Sequence, residues 1–538
     1  MLRFVRFLSR HPLKVFLVYS FVVAIFIQAV ALPLMFPSAH AGDGMLKVGD
    51  WISYNKWALE SAEIIRTQGW AQHLQQRKDQ NIEYSVLTIL YHWIHPKPWV
   101  ALPLLVLFHS LSALVIFRLL LSISRNRTSA FVATLPYFLF PTSLVWVSQV
   151  HKDGAVFLGF FLYLLGWVWL FEGDWSRFQS QQARRIVRST VVILVGSLIL
   201  WRCRGYFGYF IHYAIGTLGL VILTVVLHLR NTPFRYRVML LGYGLLIVVG
   251  LSKWLPGSGL DFVKPLPLVV DGVKVTKVGQ LRKIAKKKAA VRVAVAAPVA
   301  KTEEGPAEPV PARAPAPAPE AESAPKMAPA PAPVPVVAAP VVEPSSMEEI
   351  RLERPRVWLE TEWLPEAWDR RFFAVSAVRW GYLLTKSKSN IDDHDLFYSA
   401  LDVVLYIPRA IVVGFLAPFP SMWMGDATSD ASSKMRYLAG LEMAFAYLML
   451  PFLFAALFLY RRCPQFWFLF LSCLATLVLL SSAVPNVGTL HRFRFGFWTF
   501  FLGFSICAVI QVVPNIRTYF QNVGRFWRGQ SKLEPQRT

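Results

Sequence analysis

Apolar runs of about twenty residues, the length that crosses the hydrocarbon core of a bilayer, recur along the chain and stop at clusters of Arg. Inside lipid every backbone amide needs an internal partner, so such runs fold as helices packed side by side. Of the 538 residues, 55% are hydrophobic, and the formal net charge is +24. Mean hydropathy is +0.43, outside the range of soluble domains. The expected fold is therefore an all-α polytopic membrane protein. Because the positive charge gathers at the ends of apolar runs, where it orients helices in the bilayer, no nucleic-acid partner is implied. The 4 cysteines show neither a zinc spacing nor a disulfide framework.

The first run, residues 15–36, has the basic flank of a signal peptide but too long an apolar core. It is expected to remain as a first helix, with its N-terminus in the cytoplasm. Further spans are predicted at 99–121, 130–147, 156–171, 191–201, 207–229, 238–255, 437–460, 466–484 and 495–513, about ten in all. Arg125, Arg127, Arg184, Arg185, Arg188, Arg230, Arg235 and Arg237 then fall on the cytoplasmic side. Two stretches are read as interfacial. Residues 84–95 are too short to cross, and 396–423 are interrupted by Asp402, Pro408, Arg409, Pro418 and Pro420.

The chain thus divides into an N-terminal transmembrane bundle (1–255) with a first outer loop (42–98) and a basic segment (256–292). A Pro/Ala-rich linker (293–345), an extracytoplasmic and interfacial segment (346–436), and C-terminal transmembrane helices with a basic tail (437–538) follow. The linker reads PARAPAPAPEAESAPKMAPAPAPVPVV in part and cannot pack a core. It is expected to be a disordered, extended arm on the outer side, either a tolerated insertion or a reach toward a partner.

Chemistry is sought at the outer ends of the spans. The loop GDGMLKVGDWISYNKWALESAEIIRTQG, residues 42–69, carries Asp43 and Asp50 just beyond the first span. Helical spacing puts Trp51, Tyr54, Ala58 and Ile65 on one face, with Glu60, Glu63 and Thr67 turned away. Asp50 then begins a helix, where a carboxylate either caps backbone amides or acts as a base. The outer face of the membrane also receives His151, Lys152, Arg202, Arg204, Arg409, Arg492 and Arg494, which can bind a phosphate or snorkel to headgroups. Asp153 is read as neutralising Lys152 or capping the next helix. Glu442 is expected to pair with an arginine, and Asp392, Asp393, His394 and Asp395 to form a solvated acidic turn or helix cap. No Walker, Rossmann or HExxH pattern is present, so no cofactor or metal is expected.

An acid soon after the first span, followed by Tyr54, Ala58 and Ala62 at helical spacing and then an aromatic-rich apolar segment, resembles the opening of the GT-C superfamily of integral-membrane glycosyltransferases. Arg492 with Arg494 before a late span is similar to the Arg-rich turn of that superfamily. Lys152-Asp153 resembles a Lys-Asp pair of polysaccharide-assembly membrane proteins. The resemblance implies an enzyme of the bacterial inner membrane that uses a polyprenyl-phosphate-linked sugar. In it Asp50, or Asp43, is the base, and Lys152, Arg492 and Arg494 are the leading phosphate contacts. Implied partners are the bilayer, the lipid-linked sugar and, through residues 293–345, polysaccharide-assembly proteins. A non-catalytic component of an assembly or export complex, or a flippase or transporter of lipid-linked sugars, fits the same layout.

Overall fold

The computed structural model describes residues 2–47, 49–76, 82–176, 179–254, 268–270, 273–275, 358–384, 387, 389–424 and 430–527. The Pro/Ala-rich linker and most of the basic segment lie outside the described residues. The chain divides into two compact units, Met1–Lys264 with Arg370–Thr538, and Pro265–Asp369.

The first unit is an all-α membrane bundle. A short α1 (Leu2–Arg10) precedes α2 (Pro12–Phe26), which continues in π-helical geometry over Ile27–Met35. A small hairpin, β1 (His40–Gly42) with β2 (Met45–Leu46), leads into α3 (Asp50–Gln76) and α4 (Ile82–Trp93). Next come α5 (Leu102–Ser124), α6 (Arg127–Leu139), α7 (Pro141–Val147), α8 (Asp153–Phe171), α9 (Ser180–Phe210), α10 (Gly216–Leu229) and α11 (Phe234–Trp254). Later in the chain come α12 (Glu366–Leu383), which begins within the second unit, α13 (Ala400–Leu416), α14 (Asp430–Leu459), α15 (Pro464–Ala483) and α16 (Val487–Trp527). Among the described residues, 9 helices are long and apolar enough to cross a membrane, or up to 10 with α6 and α7 taken together. That agrees with the expected number of spans.

The predicted third span is bent by 66° where α6 meets α7. Pro141 opens α7, so its missing amide falls where a helix start has no partner to lose. α13, at 17 residues, stays shorter than the spans; it runs through Pro408 and Arg409 and ends before Pro418 and Pro420. Asp402 does not interrupt it: its Oδ2 accepts from the Ser399 amide at 2.9 Å, and the Asp402 amide donates to the Ser399 hydroxyl, a capping box at the start of α13.

α8 is the centre of the bundle. Phe160, Phe161, Tyr163, Leu164, Trp167 and Val168 are all fully buried along it. It meets α9 closely because both carry glycine at the crossing. A Cβ on Gly196 would sit 2.5 Å from the Gly159 carbonyl oxygen, so any larger residue there would force the helices apart. Leu198 on α9, Leu246 on α11 and Phe454 on α14 are exposed in the isolated chain, as helices that face lipid require. In the second unit, β3 (Leu268–Val270) pairs antiparallel with β4 (Val273–Val275). There the Trp358 indole donates to Asp369 at 2.5 Å.

Candidate functional site

The site is built at one end of the bundle from the hairpin, the start of α3, the turn between α7 and α8, the last part of α9 and the first turns of α16. Gln149, in the turn before α8, accepts from the Leu46 amide at 3.0 Å and donates to the Gly44 carbonyl at 3.2 Å. The Trp51 indole donates to the Leu46 carbonyl at 2.8 Å, which sets the first turn of α3 on the hairpin. Of the face predicted from spacing, Trp51, Ala58 and Ile65 are buried and Tyr54 is half-buried, with Ala62 buried beside them, whereas Glu60, Glu63 and Thr67 are exposed. Asp50 therefore starts α3 with its side chain 49% exposed.

Asp153 is the hub. At the first position of the most buried span, it receives a 2.6 Å hydrogen bond from Arg204 on Oδ1, and its Oδ2 lies 3.2 Å from His151 Nε2 and 3.4 Å from Arg492 Nε. Arg492 also donates to Asp50 at 2.5 Å, so a chain of charge runs from the half-exposed Asp50 to the buried Asp153. Arg204 reaches the hub because α9 breaks at that residue, where φ is −152° and ψ 74°. Both guanidinium groups lie against the Phe493 ring, at 3.8 Å for Arg204 and 4.9 Å for Arg492. His151 is held neutral near pH 7: burial pushes its imidazole down to about 4, against the pull of Asp153 and with the help of Arg492 and Arg204. Its Nδ1 accepts from the Asp153 amide at 2.9 Å, which leaves Nε2 to carry the proton toward the carboxylate.

Two unlike cavities flank this cluster. One, of about 360 Å³, is lined by Asp50, Arg492, His491, Asn486, Trp51 and Trp146. The other, of about 270 Å³, is almost wholly apolar, with Leu87, Leu104, Leu105 and Phe108 in its walls and His151, Lys152 and Arg202 as its basic groups. Lys152 Nζ stands 5.9 Å from the Tyr54 ring, and Arg202 lies 5.0 Å from the Trp201 ring.

The remaining predicted site residues are elsewhere. Asp43, at the hairpin turn with φ 49°, is joined to Lys97 at 2.7 Å. Arg494 is 1% exposed and donates to the carbonyls of Val413, Gly414 and Ala417 at the end of α13. Residues two apart on α16 are turned by roughly 200°, which is why Arg492 reaches the cluster and Arg494 does not. Glu442, expected to pair with an arginine, instead accepts from the Thr142 amide at 2.6 Å and lies 3.1 Å from His491 Nε2.

Arg409 makes a two-pronged pair with Asp392, 2.9 Å at each prong, and Tyr406 donates to the same carboxylate at 2.7 Å. Among the described residues, no group of three or more His, Cys, Asp or Glu is arranged to hold a metal ion. Burial alone would raise the Asp392 carboxyl, but the hydrogen bonds from Arg409 and Tyr406 outweigh it and hold it below the usual range. Its stabilising contribution is then complete above the unfolded carboxylate value of about 4 and is lost as pH falls through the lower folded value. Asp392→Asn is expected to lower the melting temperature in detergent at neutral pH, with the gap to wild type closing in acid. A gap independent of pH would remove this role.

No protein-family model, no curated protein and no solved structure matches the chain. The site is therefore read from its own geometry. Sequence reasoning treated Asp153 as a partner of Lys152 or a cap and missed it as the hub. The available signal was a single acid opening an otherwise apolar 19-residue span.

Proposed function

We propose that the protein is a glycosyltransferase or polysaccharide polymerase that takes sugar from a polyprenyl-phosphate-linked donor at the outer face of the bacterial inner membrane. The observation that carries this reading is the pair of unlike cavities on either side of one charged cluster. The donor has the same division, an apolar tail joined through phosphate to a sugar. The apolar cavity suits the first isoprene units, and its Lys152 and Arg202 suit the phosphate. In the other cavity, whose lining mixes polar and apolar groups, the Trp51 and Trp146 rings offer flat faces to a sugar, and Asp50 offers a carboxylate to the acceptor.

In the reaction, the acceptor hydroxyl oxygen bonds to the anomeric carbon as the bond from that carbon to the phosphate oxygen breaks. The electron pair leaves with polyprenyl phosphate, and the hydroxyl proton passes to Asp50. Arg492 bridges Asp50 and Asp153, so it can meet charge that develops on the leaving phosphate.

The test is turnover by purified protein in liposomes that contain a labelled polyprenyl-phosphate sugar and a lipid-linked acceptor. Release of polyprenyl phosphate with growth of the acceptor is expected. If no turnover occurs, and deletion in the host leaves lipid-linked saccharides unchanged, the reading fails in favour of a non-catalytic assembly component.

A further inference from the structure

The opposite end of the bundle holds a polar cavity, of about 380 Å³. α8 has Asp153 at its start and Glu172 just past its end, so this cavity and the candidate site are about 28 Å apart, the length of a 19-residue helix. Its walls come from the ends of α5, α8 and α10 and the start of α15, and its charged lining is Arg118, Arg125, Arg230 and Glu172.

Arginines beyond helix C-termini commonly serve the last carbonyls or snorkel to headgroups. Arg230 fits that pattern, donating to the Gly173 carbonyl at 2.5 Å. Arg118 starts further in: it lies within α5, six residues before the end of the helix, and its exposed side chain lines the cavity. Among the described residues, neither Arg118 nor Arg125 forms an ion pair, although Glu172 shares the cavity. The balance of charge is positive. Gln465, in the first turn of α15, lines the same space. Guanidinium forks match the paired oxygens of a phosphate better than they match a halide or a hydroxyl.

We propose that this cavity binds a phosphate-bearing anion, with Arg118 as its principal contact. The anion is either the headgroup of an acidic phospholipid from the adjacent leaflet or a soluble phosphate, and the two sources are separable. One arm compares retention of phosphatidylglycerol and phosphatidylcholine on the full-length protein by native mass spectrometry. The other follows the melting temperature with added inorganic phosphate against chloride at equal ionic strength. Arg118→Gln is expected to weaken binding about tenfold, as for loss of one charged hydrogen bond. Glu172→Gln, which removes the competing carboxylate, is expected to tighten it about threefold, a gain that a folding defect cannot imitate.

Preference for phosphatidylglycerol with this pattern assigns a lipid headgroup. A phosphate-dependent melting shift with the same pattern, without lipid preference, assigns a soluble anion. The proposal is overturned if neither ligand is favoured over its comparison, or if both variants bind as wild type does.

Discussion

Asn in place of Asp50 is expected to lower sugar transfer by about 100- to 10,000-fold, the range for loss of a general base, while the protein stays folded. The two effects separate because of where Asp50 sits. It opens α3, and Asn caps a helix start about as well as Asp does. Its pair with Arg492 has the Asp50 side chain 49% exposed, and exposed pairs contribute at most about 1 kcal/mol. Membrane abundance and melting temperature should therefore change little, and a lipid-linked saccharide should accumulate in the host. Full activity in Asp50→Asn would show that Asp50 is not the base. The neutral His151, beside Asp153 and lining the apolar cavity, would then be the next base to replace.

Asp153→Asn is expected to act on the fold itself. The Asp153 side chain is 4% exposed and its Arg204 partner 7%, so the substitution takes the Asp153 carboxylate away from buried guanidinium charge. Breaking such a pair from one side typically destabilises by about 3–5 kcal/mol. Most of the protein should be lost from the membrane fraction, and the remainder should melt earlier in detergent. Removing the stranded charge as well should restore part of the loss, so Asp153→Asn with Arg204→Met is expected to be more stable than Asp153→Asn alone. If the single variant melts as wild type, the Asp153–Arg204 pair does not hold the bundle together.

The contrast between the two acids was half legible in the sequence. Asp50 was visible because it follows an apolar span and opens a helix whose buried residues recur at helical spacing. Asp153 was visible only as an acid beside Lys152. Its actual partner is 51 residues away, and the residue that meets Asp50 is 442 away. Arg492 and Arg494 are equivalent as text. On α16 they are separated by the helical turn, one facing the cluster and the other sealing the end of α13.

The sequence by itself determined that this is a helical membrane protein of about ten spans, because the bilayer admits only runs long and apolar enough to cross it. It also determined the buried face of α3. Those are properties of consecutive residues. Only the tertiary structure decided which charges meet. The break of α9 at Arg204 and the close approach of α8 to α9 at Gly159 and Gly196 bring together side chains that no local pattern relates. Burial then decides their behaviour: inside the bundle a charge keeps its ionised form only with a partner in place, and the helix packing supplies that partner.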